Sequence, residues 1–295
     1  MGTIRDMTGT AGSATTVRVA LIGRGIGPSR TPRMHMAEGA ALGFDYRYEL
    51  MDAEASPELC FEQLVDRARV AGLAGVNVTY PFKREALALV DRASDAARRV
   101  GAVNTIVFSE RGLEGHNTDY WGFAQAMRQG LPGASLDTVV LVGAGGAGGA
   151  VAHSLADLGA GRLLIHDRDA ASAEGLAEAV NAAAGRAIAE RLDDVGAGLG
   201  AADGVVNATP VGMAKLPGSP VEPSLLDPRH WVADIVYFPL ETELLAAARA
   251  RGCATLDGGR MAIFQAARAF ELFTGATPDA ERMRASFHAA AEATA

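Results

Sequence analysis

Apolar residues in this chain fall into short runs separated by amphipathic stretches. "VRVALIG" (17–23) is an apolar run ending in glycine, the pattern of a short buried strand entering a turn. The Gly/Pro/Ser turn "RGIGPSRTP" follows, and "RMHMAEGAALG" (33–43) has helical character up to its closing glycine. "YRYELMD" (46–52) alternates like a strand, and "SPELCFEQLVDRARVAG" (56–72), opening on Ser-Pro and closing on glycine, predicts a helix. Then come a strand in "GVNVTY" (75–80), a helix in two pieces over 84–101 and a strand in "AVNTIVFSE" (102–110). Segment 111–130 reads as a polar turn and a helix, with an Asn-Thr-Asp cluster where a cap is expected.

From Thr138 the pattern restarts. "TVVLVGAGGAGGAVAHSLADLGAGRLLIHDRD" (138–169) is an apolar strand, a glycine-rich turn, an amphipathic helix and a second strand. Further βα signals follow in 203–213, 230–239 and 241–252, and "GGRMAIFQAARAFELFTG" (258–275) reads as one long helix. This alternation predicts an α/β layer fold. The expected organisation is a disordered tail (1–16), a first domain (17–115), a second domain (116–256) and C-terminal helices (257–295) that return to the first domain.

Composition narrows the function. A length of 295 residues accommodates two domains, and 49% hydrophobic residues with 35 glycines indicate a packed protein rich in tight turns. The net charge of -8, with no basic block, argues against nucleic acid as a partner. No window approaches a membrane span. Cys60 and Cys253 fit neither a metal spacing nor a disulfide framework, which points to a reducing cytoplasm. The six histidines form no ligand cluster, so no metal is expected. His35 reads as a helix-face or capping residue, and His116, His153 and His166 as turn or structural residues.

The glycine turn carries the first chemical signal. Gly143, Gly145 and Gly148 form G-x-G-x-x-G between a strand and a helix, so the backbone of 143–148, including Ala144, Gly146 and Ala147, can approach a pyrophosphate. Asp167 lies 19 residues after Gly148, at the end of the next strand, where an acid meets the adenosine ribose. A dinucleotide-binding Rossmann domain is therefore expected. Asp167 and Asp169 would repel a 2′-phosphate, whereas Arg168 could clamp one or stack on adenine. The balance favours NAD, with NADP possible.

Lys83 is one of two lysines among 27 basic residues, and it follows "NVTYPF" in a region dense with small polar groups. Arginine stays charged, whereas a buried lysine can exchange a proton, which alcohol oxidation by a nicotinamide enzyme requires. A helix-capping or ion-pairing role with Glu85 or Asp91 accounts for the position equally well.

The chain resembles the shikimate/quinate dehydrogenase family in "GPSRTP" (27–32), "GVNVTYPFK" (75–83), "GAVNT" (101–105), "GHNTD" (115–119), "VGAGGAGGA" (142–150), "NATPVGM" (207–213), "ADIVYFPLET" (233–242) and "GGRMAIFQAARAFELFTG" (258–275). These pieces keep the family's order across nearly the whole chain. The resemblance implies an NAD(P)-dependent oxidoreductase acting on a small anionic polyol, with a substrate domain ahead of the Rossmann domain. It implies that Lys83 and Asp119 form the catalytic pair and that Ser29 and Thr31 hold the substrate carboxylate. Asn77, Thr79, Asn104, Tyr237 and Gln265 would line the polyol pocket. Met213 and Met261 would flank the nicotinamide, with Thr209 and Gly258 also on the cofactor side.

Several departures stand out. Thr31 replaces the second serine of the usual Ser-x-Ser-Pro and resembles quinate-active members. "DRD" (167–169) stands where NADP users have Asn-Arg-Thr, with Asp167 for the asparagine, Asp169 for the threonine and Arg168 kept. Arg260 precedes the family's methionine, and Arg30 stands between the two carboxylate-binding hydroxyls. The expected reaction is shikimate to 3-dehydroshikimate, with quinate to 3-dehydroquinate as the alternative and a non-catalytic dinucleotide-binding protein as the alternative of another class. Monomer and homodimer both stay open.

Overall fold

Strand β1 (Thr16–Gly23) is buried over nearly its whole length, as a central strand covered on both faces must be. A computed structural model describes residues 14–292, so residues 1–13 of the expected tail lie outside the described residues. After β1 come α1 (Thr31–Ala41), β2 (Asp45–Asp52), α2 (Phe61–Val70), β3 (Gly75–Val78), α3 (Lys83–Leu89), β4 (Arg92–Ala93), α4 (Asp95–Val100), β5 (Thr105–Ser109) and β6 (Gly112–His116). These strands form one sheet in the order β2-β1-β3-β5-β6-β4. β1 pairs in parallel with β2 and β3, and β5 is antiparallel to both β3 and β6.

Helix α5 (Thr118–Gly130) leads to β7 (Thr138–Val142), α6 (Gly146–Asp157), β8 (Arg162–His166), α7 (Ala170–Ala184), β9 (Ala189–Arg191), α8 (Val195–Leu199), β10 (Gly204–Asn207), β11 (Trp231–Asp234), α9 (Glu243–Ala250) and β12 (Ala254–Leu256). The second sheet is entirely parallel, in the order β12-β11-β10-β7-β8-β9. Counted from β7, this is the doubly wound dinucleotide-binding order, and its direction reverses between β7 and β10. The chain is thus a two-domain α/β protein with a Rossmann domain.

The last helices, α10 (Gly258–Thr274) and α11 (Ala280–Glu292), complete the first domain. Phe270 and Phe273 of α10 pack with Val17, Val19, Tyr46 and Tyr48, while Met283 and Phe287 of α11 pack with Met34 of α1. Glu38, fully buried on α1, accepts two hydrogen bonds of 2.8 Å from the Arg282 guanidinium and a third from the Asp279 N–H. A buried carboxylate is tolerable only with such partners.

Several elements differ from the sequence reading, α2 and β6 among them. Ser56–Leu59 makes a turn, and α2 begins after Cys60, whose N–H is taken by Gln63 Oε1 at 2.9 Å. β6 occupies a stretch read as a polar turn. Its "GLEGH" has little strand propensity, but Gly115 permits close packing: a Cβ there would lie 2.7 Å from Val103 Cγ2.

Candidate active site

Strand β3 ends at Val78, and the turn through Thr79–Phe82, with a cis Tyr80–Pro81 bond, delivers Lys83 to the start of α3. Its backbone carbonyl is fixed by the Val103 N–H at 2.8 Å. Asp119 stands in the first turn of α5, which Asn117 caps by accepting from the Tyr120 N–H at 3.0 Å. Asn117 in turn donates to the Ala102 carbonyl at 3.0 Å, tying this cap to the first sheet. Lys83 Nζ donates to Asp119 Oδ2 at 2.6 Å, with 23% and 11% of the two side chains exposed. Neither Glu85 nor Asp91, the alternative partners, forms an ion pair with Lys83.

A lattice of neutral polar groups adjoins this pair. Tyr48 donates to Asn77 Oδ1 at 2.8 Å, and Asn77 Nδ2 donates to Thr105 Oγ1 at 3.0 Å. Asn104 donates to Thr118 Oγ1 at 2.9 Å and accepts from the Thr118 N–H at 2.8 Å. Thr118 Oγ1 also lies 3.4 Å from Gln265 Oε1 on α10. All but Gln265 are buried, so the network holds each amide in one orientation. The sequence assigned roles to Asn77, Asn104 and Gln265, whereas Thr105 and Thr118 stood out only as members of polar clusters and Tyr48 not at all; the three hydroxyls bond to these amides. Thr105 and Thr118 stand in the motifs "GAVNT" and "GHNTD", which was the available signal.

Ser29 and Thr31 sit at the entry to α1, where Ser29 Oγ accepts from the Thr31 N–H at 3.4 Å. Thr79 packs over the end of β1: a Cβ on Gly23 would meet Thr79 Cγ2 at 2.3 Å and Ile26 Cγ2 at 2.7 Å. Tyr237, in the loop after β11, keeps 40% of its surface open, yet its hydroxyl is held above its ordinary range. Desolvation is the main cause; Lys83 opposes it, Asp119 reinforces it and Arg30 opposes it.

In the second domain the glycine turn follows β7. Gly143 has φ +109°, and a Cβ on Gly148 would lie 2.0 Å from the Gly143 carbonyl oxygen, so only glycine allows this close strand–helix approach. Gly145 and Gly146 face open space, and no side chain caps α6. The uncapped helix start and open cradle fit a dinucleotide pyrophosphate. Asp167 Oδ2 accepts from the Ala144 N–H at 2.7 Å, and Oδ1 accepts from the Asp169 N–H at 2.9 Å. Asp169 caps α7 through Ala171 and Ser172, while Arg168 is exposed.

Thr209 closes on Gly143, where a Cβ would meet its Cγ2 at 3.0 Å. A network omitted from the sequence reading supports this loop. Asn207 accepts from the Thr209 hydroxyl at 2.7 Å and donates to Asp234 Oδ1 at 3.0 Å, and Thr242 donates to Asp234 Oδ2 at 2.8 Å. Burial pushes the Asp234 carboxyl up to about 6. Gly258 presses against the chain after β11, with a Cβ position 2.4 Å from the Ile235 carbonyl oxygen. Met213 is exposed, whereas Met261 is buried in the core that includes Ala144.

Three family models match in order: the shikimate dehydrogenase substrate binding domain over 21–106, shikimate / quinate 5-dehydrogenase over 125–232, and the shikimate 5'-dehydrogenase C-terminal domain over 260–286. A quinate/shikimate dehydrogenase (NAD(+)) of Corynebacterium efficiens is 50% identical, across 92% of this chain and 98% of its own length. The chain belongs to the shikimate/quinate dehydrogenase family. A shikimate dehydrogenase (NADP(+)) of Streptomyces avermitilis is also 50% identical, over 90% of this chain and 93% of that protein. The solved quinate dehydrogenase from Corynebacterium glutamicum in complex with NAD superposes with a TM-score of 0.90 at 47% identity, covering 93% of this chain and 99% of that one. Among the described residues no helix is long and apolar enough to cross a membrane, and no group of three or more His, Cys, Asp or Glu is placed to hold a metal ion.

Proposed function

We propose that this chain is an NAD-dependent dehydrogenase that oxidises a ring hydroxyl of shikimate to give 3-dehydroshikimate, reversibly. The observation that carries this reading is the 2.6 Å Lys83–Asp119 pair beside the buried Asn77–Thr105–Asn104–Thr118 lattice. Oxidising a secondary alcohol requires the carbinol hydrogen to leave as hydride and the hydroxyl proton to leave separately. A nicotinamide dinucleotide with its pyrophosphate at the glycine turn would supply the hydride acceptor. Lys83 Nζ handles the hydroxyl proton, and Asp119 fixes Nζ in place. Asn77, Asn104 and Gln265 present amides to the remaining hydroxyls, and Ser29 and Thr31 present hydroxyls to the carboxylate.

Asp167, which follows β8 and is tied to the Ala144 N–H, supports NAD, because a carboxylate there accepts from a ribose diol and repels a 2′-phosphate. Arg168 lies beside it and keeps NADP as the competing cofactor. Quinate is the second reading. Thr31 favours it, as does the similarity to relatives named for quinate. We place the reaction in the cytoplasm, where two unpaired cysteines are ordinary.

The test follows reduced cofactor by absorbance, using shikimate and then quinate with NAD and with NADP, and Lys83→Ala alongside. Oxidation of shikimate with NAD, lost in the variant, supports the proposal. Turnover of quinate alone moves the substrate, and a preference for NADP moves the cofactor. No oxidation of either acid with either cofactor overturns the proposal.

A further inference from the structure

Arg30 sits between the two hydroxyl residues assigned to the substrate carboxylate, and its environment is unusual for an arginine. Its guanidinium carbon lies 5.4 Å from the centre of the Phe238 ring and 4.9 Å from that of Phe287. One ring belongs to the loop after β11 and the other to α11, so the second domain and the C-terminal helices hold the group between them. Its Nη1 is buried without a hydrogen-bond partner. Among the described residues no carboxylate forms an ion pair with it.

A buried, charged N–H lacking an acceptor is costly, and aromatic faces replace only part of its hydration. Ring faces supply no hydrogen-bond acceptor of the carboxylate kind, so the N–H groups of the guanidinium, which donate in its own plane, still call for one. Ser29 and Thr31 flank it in sequence, and Tyr237, next to Phe238, is close enough to feel Arg30, Lys83 and Asp119 together. An anion bound at the Ser29–Thr31 turn would supply the missing acceptor.

We propose that Arg30 is a specificity-determining residue that gives the ligand's carboxylate a charged partner, so that this chain selects ring acids over neutral polyols of the same shape. This rests on the reading of the Lys83–Asp119 site given above. Ser29 and Thr31 offer neutral hydrogen bonds that a carboxamide also satisfies; Arg30 distinguishes the two by charge. The phenyl rings of Phe238 and Phe287 set its position.

The experiment measures kcat and KM with NAD for shikimate, or quinate if that is the acid oxidised, and for the carboxamide of the same acid. Wild type, Arg30→Met and Arg30→Lys are compared. In Arg30→Met the KM for the acid should rise about 10- to 100-fold, the usual effect of losing a hydrogen bond to a charged group. The carboxamide should change by less than about threefold, and kcat for the acid should hold, because the contact is the same before and during reaction. Arg30→Lys should recover part of the acid's advantage, and its comparison with Arg30→Gln serves if the methionine variant does not fold. An equal rise in KM for acid and carboxamide, or a fall in kcat alone, would mean that Arg30 only packs the Phe238 loop, and overturns the proposal. If wild type oxidises the acid and Arg30→Met does so equally well, the proposal fails alone. If wild type oxidises neither acid, the reading of the site fails and takes this proposal with it.

Discussion

Lys83 and Asp119 are 36 residues apart in the chain and 2.6 Å apart in space, each at the start of a helix that leaves the same sheet. The sheet brings them together: β3 pairs with β5 and β5 with β6, which sets the entries to α3 and α5 side by side. Lys83→Ala should lower kcat by about 10²- to 10⁴-fold, the range for a positioned acid–base group. Asp119→Asn, which keeps the shape and removes the charge, should lower it by about 10- to 100-fold. Steady-state kinetics on folded variants checks both, and activity near wild type in Lys83→Ala would remove the lysine from the reaction.

Asp167 is tied to the glycine turn through the Ala144 N–H at 2.7 Å, so its carboxylate has a defined place beside the cofactor cradle. Asp167→Ala should shift the ratio of kcat/KM for NAD over NADP towards NADP by about 10- to 100-fold, through loss of a charged acceptor. An unchanged ratio would mean that Arg168 and the loop backbone choose the cofactor.

Asp234 gives a pH-dependent prediction. Its folded carboxyl is raised to about 6 from 3.8 by burial. Between those values the folded state holds a proton that the unfolded chain has released. Stability from this group is therefore greatest in acid and falls as pH rises from about 4 to 6, by about 3 kcal/mol in all. His35 has the opposite slope. Burial lowers it to about 3 from 6.5, so its contribution is lost as pH falls below 6.5. The two oppose each other in wild type. Asp234→Asn, which mimics the neutral acid, should expose the His35 slope, seen as a steeper loss of denaturant stability on acidification than in wild type. Parallel pH curves for the two proteins would rule out the raised carboxyl.

Arg282 secures α11 to α1 through buried Glu38, with contacts of 2.8 Å. Arg282→Ala should destabilise the protein by about 2 kcal/mol, less than a fully buried broken pair because the arginine is 45% exposed. Glu38→Gln with Arg282→Ala should recover part of that loss, since no buried charge is left behind. Chemical denaturation of the single and double variants measures both effects.

Much of this was legible in the chain. Each strand of the second sheet except β9 and β12 lay within a segment read as carrying a strand or βα signal, and the glycine turn stands where its spacing, a local constraint, puts it. What was hidden depends on distant partners. β6 is a strand because Gly115 fits beneath Val103 and Val90, which no local propensity reveals. The position of Arg30 between Ser29 and Thr31 was legible, but not its aromatic neighbours Phe238 and Phe287, which come from later in the chain. His35, read as a helix-face or capping residue, is fully buried and shares a 2.9 Å hydrogen bond with Tyr46. The alternation of "YRY" showed that those tyrosines face one way, but not what they meet.

The return of α10 and α11 to the first domain has a consequence for synthesis. As the chain leaves the ribosome, the first sheet emerges early, yet Val17, Val19 and Tyr46 must wait for Phe270 and Phe273, and Met34 for Met283 and Phe287. The Rossmann domain, whose strands are contiguous in sequence, can close while the earlier sheet still has an uncovered apolar face. The first segment made is thus among the last to be finished. A nascent chain halted before Gly258 should expose that face to chaperones, although both residues of the Lys83–Asp119 ion pair have already been made.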